Sequence, residues 1–328
     1  MILTHEQLAA ITRGTDHTFV NEQNGRFVMR RCTDKQTEAY GREFAPKCEL
    51  TAGVRFDFWT DSQTIEFDYF VARRASIMWM SIDLYADGVM VAADYKDTHQ
   101  SFDNYTFAYE FATKARRRIT VYLPYMVDIQ VTEFRLDDGA ELTPYTDYAG
   151  TMLCFGDSIT HGYHAHYSSC TYPARIARYF NYDFSNQGNA GYIFDAATID
   201  PEQNIKPDCI TVAFGTNDWS KLPSNEEFVS RAQGFFDRLV EVYPGVPVYA
   251  ILPLWRADCW RPKKTGPFDV ARQQLAEIME AHGCIVVDGA KAVPHVESFY
   301  EDFRLHPNDL GFSFYAQYLI GEMSRNQK

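Results

Sequence analysis

A chain of 328 residues with 46% hydrophobic and 15% aromatic side chains has ample material for packed cores, which excludes a disordered polymer and favours two domains over one. Its net charge of −13 and pI near 5.1 oppose a polyanion, so no nucleic-acid partner is expected. Seven cysteines without a C-x-x-C pair fit reduced thiols better than a disulfide framework or a zinc site.

The amino terminus, Met1-Ile2-Leu3-Thr4-His5-Glu6-Gln7, has neither a basic n-region nor a long apolar h-region. No window approaches the apolar length of a membrane span, so a cytoplasmic protein without membrane contact is the expectation. Thr4 with Gln7 resembles a capping box and opens a short helix. The period then shifts to two. Val54, Phe56 and Phe58 alternate with Arg55, Asp57 and Trp59, and Ile65, Phe67, Tyr69 and Val71 alternate with Glu66 and Asp68. Further strands fit Ile77 to Tyr85, Val89 to Ala93, Thr106 to Phe111, Ile119 to Leu123 and Ile129 to Leu136. Asn24-Gly25, Asp87-Gly88 and Asp138-Gly139 read as hairpin dipeptides, and Arg116-Arg117-Arg118, the one dense basic run, as a solvated strand edge. Short strands with no intervening amphipathic helix predict an antiparallel β-sandwich, jelly-roll-like, over residues 1–145. That half carries no nucleophile of its own.

Leu142 to Gly150, bracketed by proline and glycine, reads as the boundary, and residues 146–328 then alternate β and α. Apolar strands fit Met152 to Phe155, Tyr182 to Ser185, Cys209 to Phe214, Val246 to Leu252 and Cys284 to Val287. Helices fit Tyr172 to Phe180, Asn225 to Tyr243 with Asn225 as N-cap, Phe268 to His282, and Asn308 to Met323. Strands separated by single helices run parallel with right-handed crossovers, so a three-layer α/β/α doubly wound, flavodoxin-like sheet is expected. Cys154, inside its first strand, reads as a core thiol.

In such a sheet every strand-to-helix loop opens on one edge. Here those loops carry Gly156-Asp157-Ser158, Asn186-Gln187-Gly188-Asn189-Ala190-Gly191 and Gly215-Thr216-Asn217-Asp218, and His306-Pro307 precedes the last helix. A serine needs a base to become a nucleophile, and an attacked carbonyl needs donors for its oxygen. Ser158 with His306 meets the first need; glycine-rich backbone with an asparagine amide meets the second.

The four blocks, in this order, resemble the SGNH branch of the GDSL esterases and lipases, over roughly residues 150 to 325. The resemblance implies Ser158 as nucleophile and His306 as base, with an oxyanion hole of the Ser158 and Gly191 N–H groups and the Asn217 amide. It also implies no cofactor and no metal. The N-terminal half looks like the sandwich that some two-domain carbohydrate esterases carry, which implies a short-chain ester, acetyl first, on a carbohydrate. Alternatives are a lipase or thioesterase, or a carbohydrate-binding protein whose hydrolase site has decayed. One departure stands out: the family's aspartate lies three residues before the histidine, where this chain has Phe303. Either a bulged loop lets Asp302 reach His306, the preferred reading, or Glu301, another acid or a backbone carbonyl orients the ring, or the site is a Ser/His dyad. His161, His164 and His166 read as a polar loop lining the cleft. Asp157, Tyr163, Trp219 and Trp255 are candidate substrate contacts, with packing of the sheet edge an equal alternative for the aromatics. A homo-oligomer is compatible with all of this.

Overall fold

The computed structural model describes residues 1–77, 79–97 and 103–326. Its N-terminal half is built from two antiparallel sheets. One runs in the order His17–Val20, Phe27–Arg30, Val127–Leu136, Thr64–Arg74, Asn104–Glu110; the other in the order Thr12–Arg13, Arg55–Thr60, Arg117–Tyr122, Trp79–Ala86, Val89–Asp97. Period two is the reason they pack. Ile65, Phe67, Tyr69 and Val71 are all buried on one side of their strand, and the Phe56 ring of the second sheet meets the Phe67 and Phe134 rings of the first at 5.9 and 5.4 Å. Truncating one such ring to alanine typically costs about 3–5 kcal/mol.

Asp87 and Gly88 both have positive φ, 49° and 81°, and close the hairpin between Trp79–Ala86 and Val89–Asp97 with the twist that paired strands need. Asp138-Gly139 makes no hairpin. It hands the chain from Val127–Leu136 in one sheet to Thr143–Pro144, which pairs with Arg55–Thr60 in the other. Met78, inside an expected strand, lies outside the described residues. A helix at Asp34–Phe44, followed by a 3₁₀ turn at Ala45–Glu49, corrects the expectation that no helix intervenes between the strands. Thr33 and Gln36 form a capping box, the same signature that starts His5–Ile11 with Thr4 and Gln7.

The C-terminal half is a parallel sheet in the order Tyr182–Gly188, Gly150–Gly156, Cys209–Ala213, Val248–Ile251, Ile285–Val287. Alternate residues feed opposite layers. Met152, Cys154, Tyr249 and Ile251 pack with helices Tyr172–Phe180 and Asp309–Asn326, whereas Leu153, Phe155, Val248 and Ala250 pack with Asn225–Val242 and Phe268–Ala281. This is the expected three-layer doubly wound fold. Ser224, extended at φ −155°, is the N-cap of the Asn225–Val242 helix and accepts from Glu227 N–H, displacing Asn225 into the first turn. Cys154 is fully buried, and burial pushes its thiol up to about 12.

The halves share buried polar joints that no local pattern announces. Arg55 ion-pairs with Asp183 of the parallel sheet. Arg118, expected in solvent, instead grips buried Asp57 with two hydrogen bonds of 2.7 and 2.9 Å, lies over the Tyr145 ring, and crosses to the C-terminal half by donating to Asn181 Oδ1 at 3.0 Å. Arg31 is 1% exposed and donates to the carbonyls of Leu50, Lys47, Asn186 and Gly188, tying the N-terminal half to the carboxyl end of the second parallel strand.

Candidate active site

The Gly150–Gly156 strand lies between its neighbours where the chain order reverses, the position at which open α/β sheets bind ligands. Just beyond it, Asp157 caps a single helical turn, Ser158–His161, by accepting Ile159 N–H at 3.0 Å. Ser158 therefore begins a helix, and its own N–H has no intrahelical acceptor. Its Oγ lies 2.8 Å from His306 Nε2, and His306 Nδ1 lies 2.7 Å from Asp302 Oδ2. A carboxylate can only accept, so Nδ1 carries the proton and Nε2 is left to accept the serine hydroxyl.

The extra residue between acid and histidine is absorbed locally. Phe303 takes a left-handed conformation, φ 53°, with its ring in solvent. Asp302 then folds back over the turn. Its Oδ1 accepts the N–H groups of Arg304, Leu305 and His306 at 3.1, 2.8 and 3.0 Å while Oδ2 faces the imidazole. Burial acts to raise the Asp302 pKa, but hydrogen bonds from the His306 ring and the Leu305 backbone outweigh it and hold the carboxyl well below the usual carboxylate range. Glu301 faces His166 at 3.4 Å instead.

Ser158, His306, Gly191, Asn217 and Tyr163 line one cavity of about 660 Å³. Asn217 Nδ2 donates one hydrogen to Tyr192 O at 3.1 Å, which fixes the amide and leaves its second hydrogen for the cavity. Gly191 has φ 85°, a conformation a side chain would strain, and its carbonyl accepts Lys221 Nζ at 2.7 Å. Gly188 does different work: a Cβ there would come within 2.3 Å of His161 N, so it is glycine for close packing.

Residues 154–313 match the family described as GDSL-like Lipase/Acylhydrolase. The C-terminal half thus carries a GDSL-like lipase/acylhydrolase domain, and the chain is a carboxylic ester hydrolase. No curated protein matches the sequence. Among solved structures, the acylhydrolase is similar to the salicylyl-acyltransferase SsfX3 from a tetracycline biosynthetic pathway, at 19% identity over 96% of this chain and 94% of that one, TM-score 0.82. A protein described as a GDSL-like lipase from Bacteroides ovatus matches at 18% identity over 99% and 97%, TM-score 0.75. A family two carbohydrate esterase from Clostridium thermocellum, in complex with cellohexaose, matches at 15% over 84% and 93%, TM-score 0.64. At these identities the likeness is one of fold.

Several expected contacts lie elsewhere. Trp219 is fully buried, donating Nε1–H to Gly266 O, because it closes the core under its helix. Trp255 stacks on His295 and leans on Tyr300, away from the cavity lining. Asp157 is buried too, and burial first, then the Asp218 charge, lifts its carboxyl to about 7. Tyr163 alone of these four lines the cleft, with its ring 4.8 Å from that of His306.

The three histidines of the expected polar loop separate. His166 packs on Trp79, and His164 lies 5.3 Å from the His306 ring, where burial and the neighbouring His306 charge lower its pKa to about 4. Ligand atoms of His164, Asp302 and His306 come within 4.8 Å of one another, but the last two are already hydrogen-bonded to each other. His161 is buried with Nε2 2.8 Å from Tyr125 O, so Nε2–H donates and Nδ1 accepts Ala190 N–H at 3.3 Å. Burial holds that ring neutral, with its pKa well below the usual value, and the ring thereby supports the Asn189-Ala190 peptide, one unit before the Gly191 N–H.

Sequence reasoning allowed the N-terminal half a wall of the cleft but named none of its residues. Pro46, Lys47, Leu50, Arg73, Ala75 and Met126 come from the N-terminal half. Thr33-Asp34-Lys35-Gln36, a capping-box sequence like that at Thr4, was the available signal for the helix that leads there.

Proposed function

We propose that the chain hydrolyses short acyl esters, acetyl foremost, of carbohydrate-like alcohols through an acyl-enzyme on Ser158. The observation that carries this reading is the hydrogen-bonded series Ser158 Oγ, His306 and Asp302 at the mouth of a cavity that also exposes Gly191 and Asn217. His306 Nε2 takes the hydroxyl proton as Oγ attacks the ester carbonyl. The tetrahedral oxyanion is held by the N–H groups of Ser158 and Gly191 and the Asn217 amide. Lys47 donates to the Ala190 carbonyl, in the same peptide unit as the Gly191 N–H, and so polarises that donor toward the oxyanion. The imidazolium, steadied by Asp302, protonates the leaving alcohol. The neutral ring then takes a proton from water as it attacks the acyl-enzyme, and returns it to Oγ as the acid departs.

The charged lining weighs against a long apolar acyl chain, since burying a methylene train there would desolvate side chains without pairing them. The connected acid removes the motive for a decayed, purely carbohydrate-binding site. Hydrolysis of 4-nitrophenyl acetate by the wild type and by Ser158→Ala tests the proposal. Equal, background rates would return the protein to the binding class, whereas a Ser158-dependent rate is then followed through acetylated sugars and acyl chains of rising length.

A further inference from the structure

The cavity is cationic in an acidic protein. Against a whole-chain charge of −13, its lining holds, among the described residues, seven lysines and arginines and two carboxylates. Part of that charge is neutralised within the wall. Arg73 pairs with Glu49 at 2.6 Å, and Asp258 is shared by Arg256 at 2.6 Å, Lys263 at 3.1 Å and Arg304 at 3.9 Å, which leaves that cluster net positive. Lys47 and Lys221 are different. Among the described residues neither has a carboxylate within 4.0 Å, and each ammonium is aimed by a carbonyl of the oxyanion loop, Lys47 by Ala190 and Lys221 by Gly191. Lys47 is half-buried, resting 4.5 Å from the Phe44 ring centre. Burial and then the Lys221 charge depress its pKa, with Glu43 opposing. Two ammoniums facing one cleft repel, and a bridging anion relieves both. With Trp219 and Trp255 turned away from the cavity, the lining holds no indole platform for a sugar face, and charge is its strongest means of recognition.

We propose that the natural ester bears an anionic group, a carboxylate, phosphate or sulfate, held by Lys47 and Lys221 beside Gly191. This rests on the esterase reading and narrows its substrate class. Each lysine spends one N–H on its carbonyl and keeps two for the ligand. Lys47 belongs to the N-terminal half, so recognition joins both halves of the chain.

Paired esters test the charge and locate it. Mono-4-nitrophenyl glutarate against 4-nitrophenyl valerate places a carboxylate on the acyl side at equal chain length. An acetylated methyl glucuronide against the acetylated methyl glucoside places it on the alcohol side. The expectation is a kcat/KM roughly tenfold higher for the anionic member of one pair, as charge-assisted hydrogen bonds warrant, and reduced at high salt. In Lys47→Gln and Lys221→Gln, which keep an amide donor and lose the charge, the ratio within that pair should fall toward one. The ratio cancels any loss of rate from a loosened oxyanion loop. Ratios near one in the wild type, or unchanged in both variants, overturn the inference while leaving a Ser158-dependent esterase standing. Calorimetric titration of Ser158→Ala with glutarate and with glucuronate reads the same site without turnover. Saturable binding lost in the double glutamine variant supports the inference even if every ester tried is inert; no binding of either anion at millimolar concentration overturns it.

Discussion

The two walls of the cavity are held in place by different physics. The wall from the parallel sheet presents Ser158 and Asn217 on the first turns of short helices and Gly191 on a loop, all just past the ends of buried strands, with His306 ahead of the last helix. The wall from the sandwich presents Lys47, Arg73 and Met126, none of which hydrogen-bonds to Ser158 or His306, and it is fastened by Arg31 reaching across to the Asn186 and Gly188 carbonyls. One wall is suited to chemistry by its rigidity; the other is suited to shape and charge. Substitutions in the first should therefore cost turnover at constant stability, and substitutions in the second should cost stability or selectivity.

The largest effect should come from Asp302→Asn. An amide there no longer selects the Nδ1–H tautomer, and kcat should fall by about 10⁴-fold with the melting temperature little changed. A rate close to wild type, for an ester whose chemistry is limiting, would remove Asp302 from the triad and leave a Ser/His dyad. Asn217→Ala should cost about 10²–10³ in kcat with KM nearly constant, because the amide is asked to act on the oxyanion more than on the ground state. A KM effect alone would move Asn217 to substrate binding.

On the joint between the walls, Arg31→Met removes the donor of three buried carbonyls and of the half-buried Lys47 carbonyl and should lower unfolding free energy by roughly 3 kcal/mol or more, read by urea denaturation. An unchanged midpoint would show that the two halves hold together without it.

Asp157 gives a pH signature. Its folded pKa, about 7, lies above the ordinary 3.8, so between those values the native state holds a proton that the unfolded state has released. The Asp157 contribution to stability therefore falls as pH rises through that window, by up to about 1.4 kcal/mol per pH unit. Asp302, with its lowered pKa, acts in the opposite sense, its contribution being lost only in acid as pH drops below the ordinary carboxylate range. Asp157→Asn keeps the Oδ1 acceptor for Ile159 N–H and should flatten the fall between pH 4 and 7; an unaltered profile of melting temperature against pH would place the titration elsewhere. The smallest effect belongs to Phe303→Gly, which removes the left-handed strain of an exposed residue and should add up to about 1 kcal/mol while activity is kept.

Period-two alternation at Phe56 and Phe67 and the β-then-α rhythm after Gly150 were enough to read both sheets, because burial on one face of a strand writes itself into neighbouring residues. The serine, glycine, asparagine and histidine blocks were legible for a related reason: a parallel sheet sends every such loop to one edge, so order along the chain becomes proximity. Asp302 was half legible, since one surplus residue is absorbed only if some position accepts positive φ, and Phe303 carries no composition that says so. Trp219 and His161 were misjudged because an aromatic or imidazole beside a motif has the same sequence whether it faces the cleft or the core.

What the one-dimensional pattern determined is thus the parallel sheet and the gathering of Ser158, Gly191, Asn217 and His306 at its edge, where spacing and strand period do the work locally. The second wall, the Arg31 tie, the burial of Trp219 and the meeting of Lys47 with Lys221 were decided only by tertiary structure. Each joins residues more than a hundred positions apart, or turns a side chain one way or the other, through packing free energy that no neighbouring residue encodes.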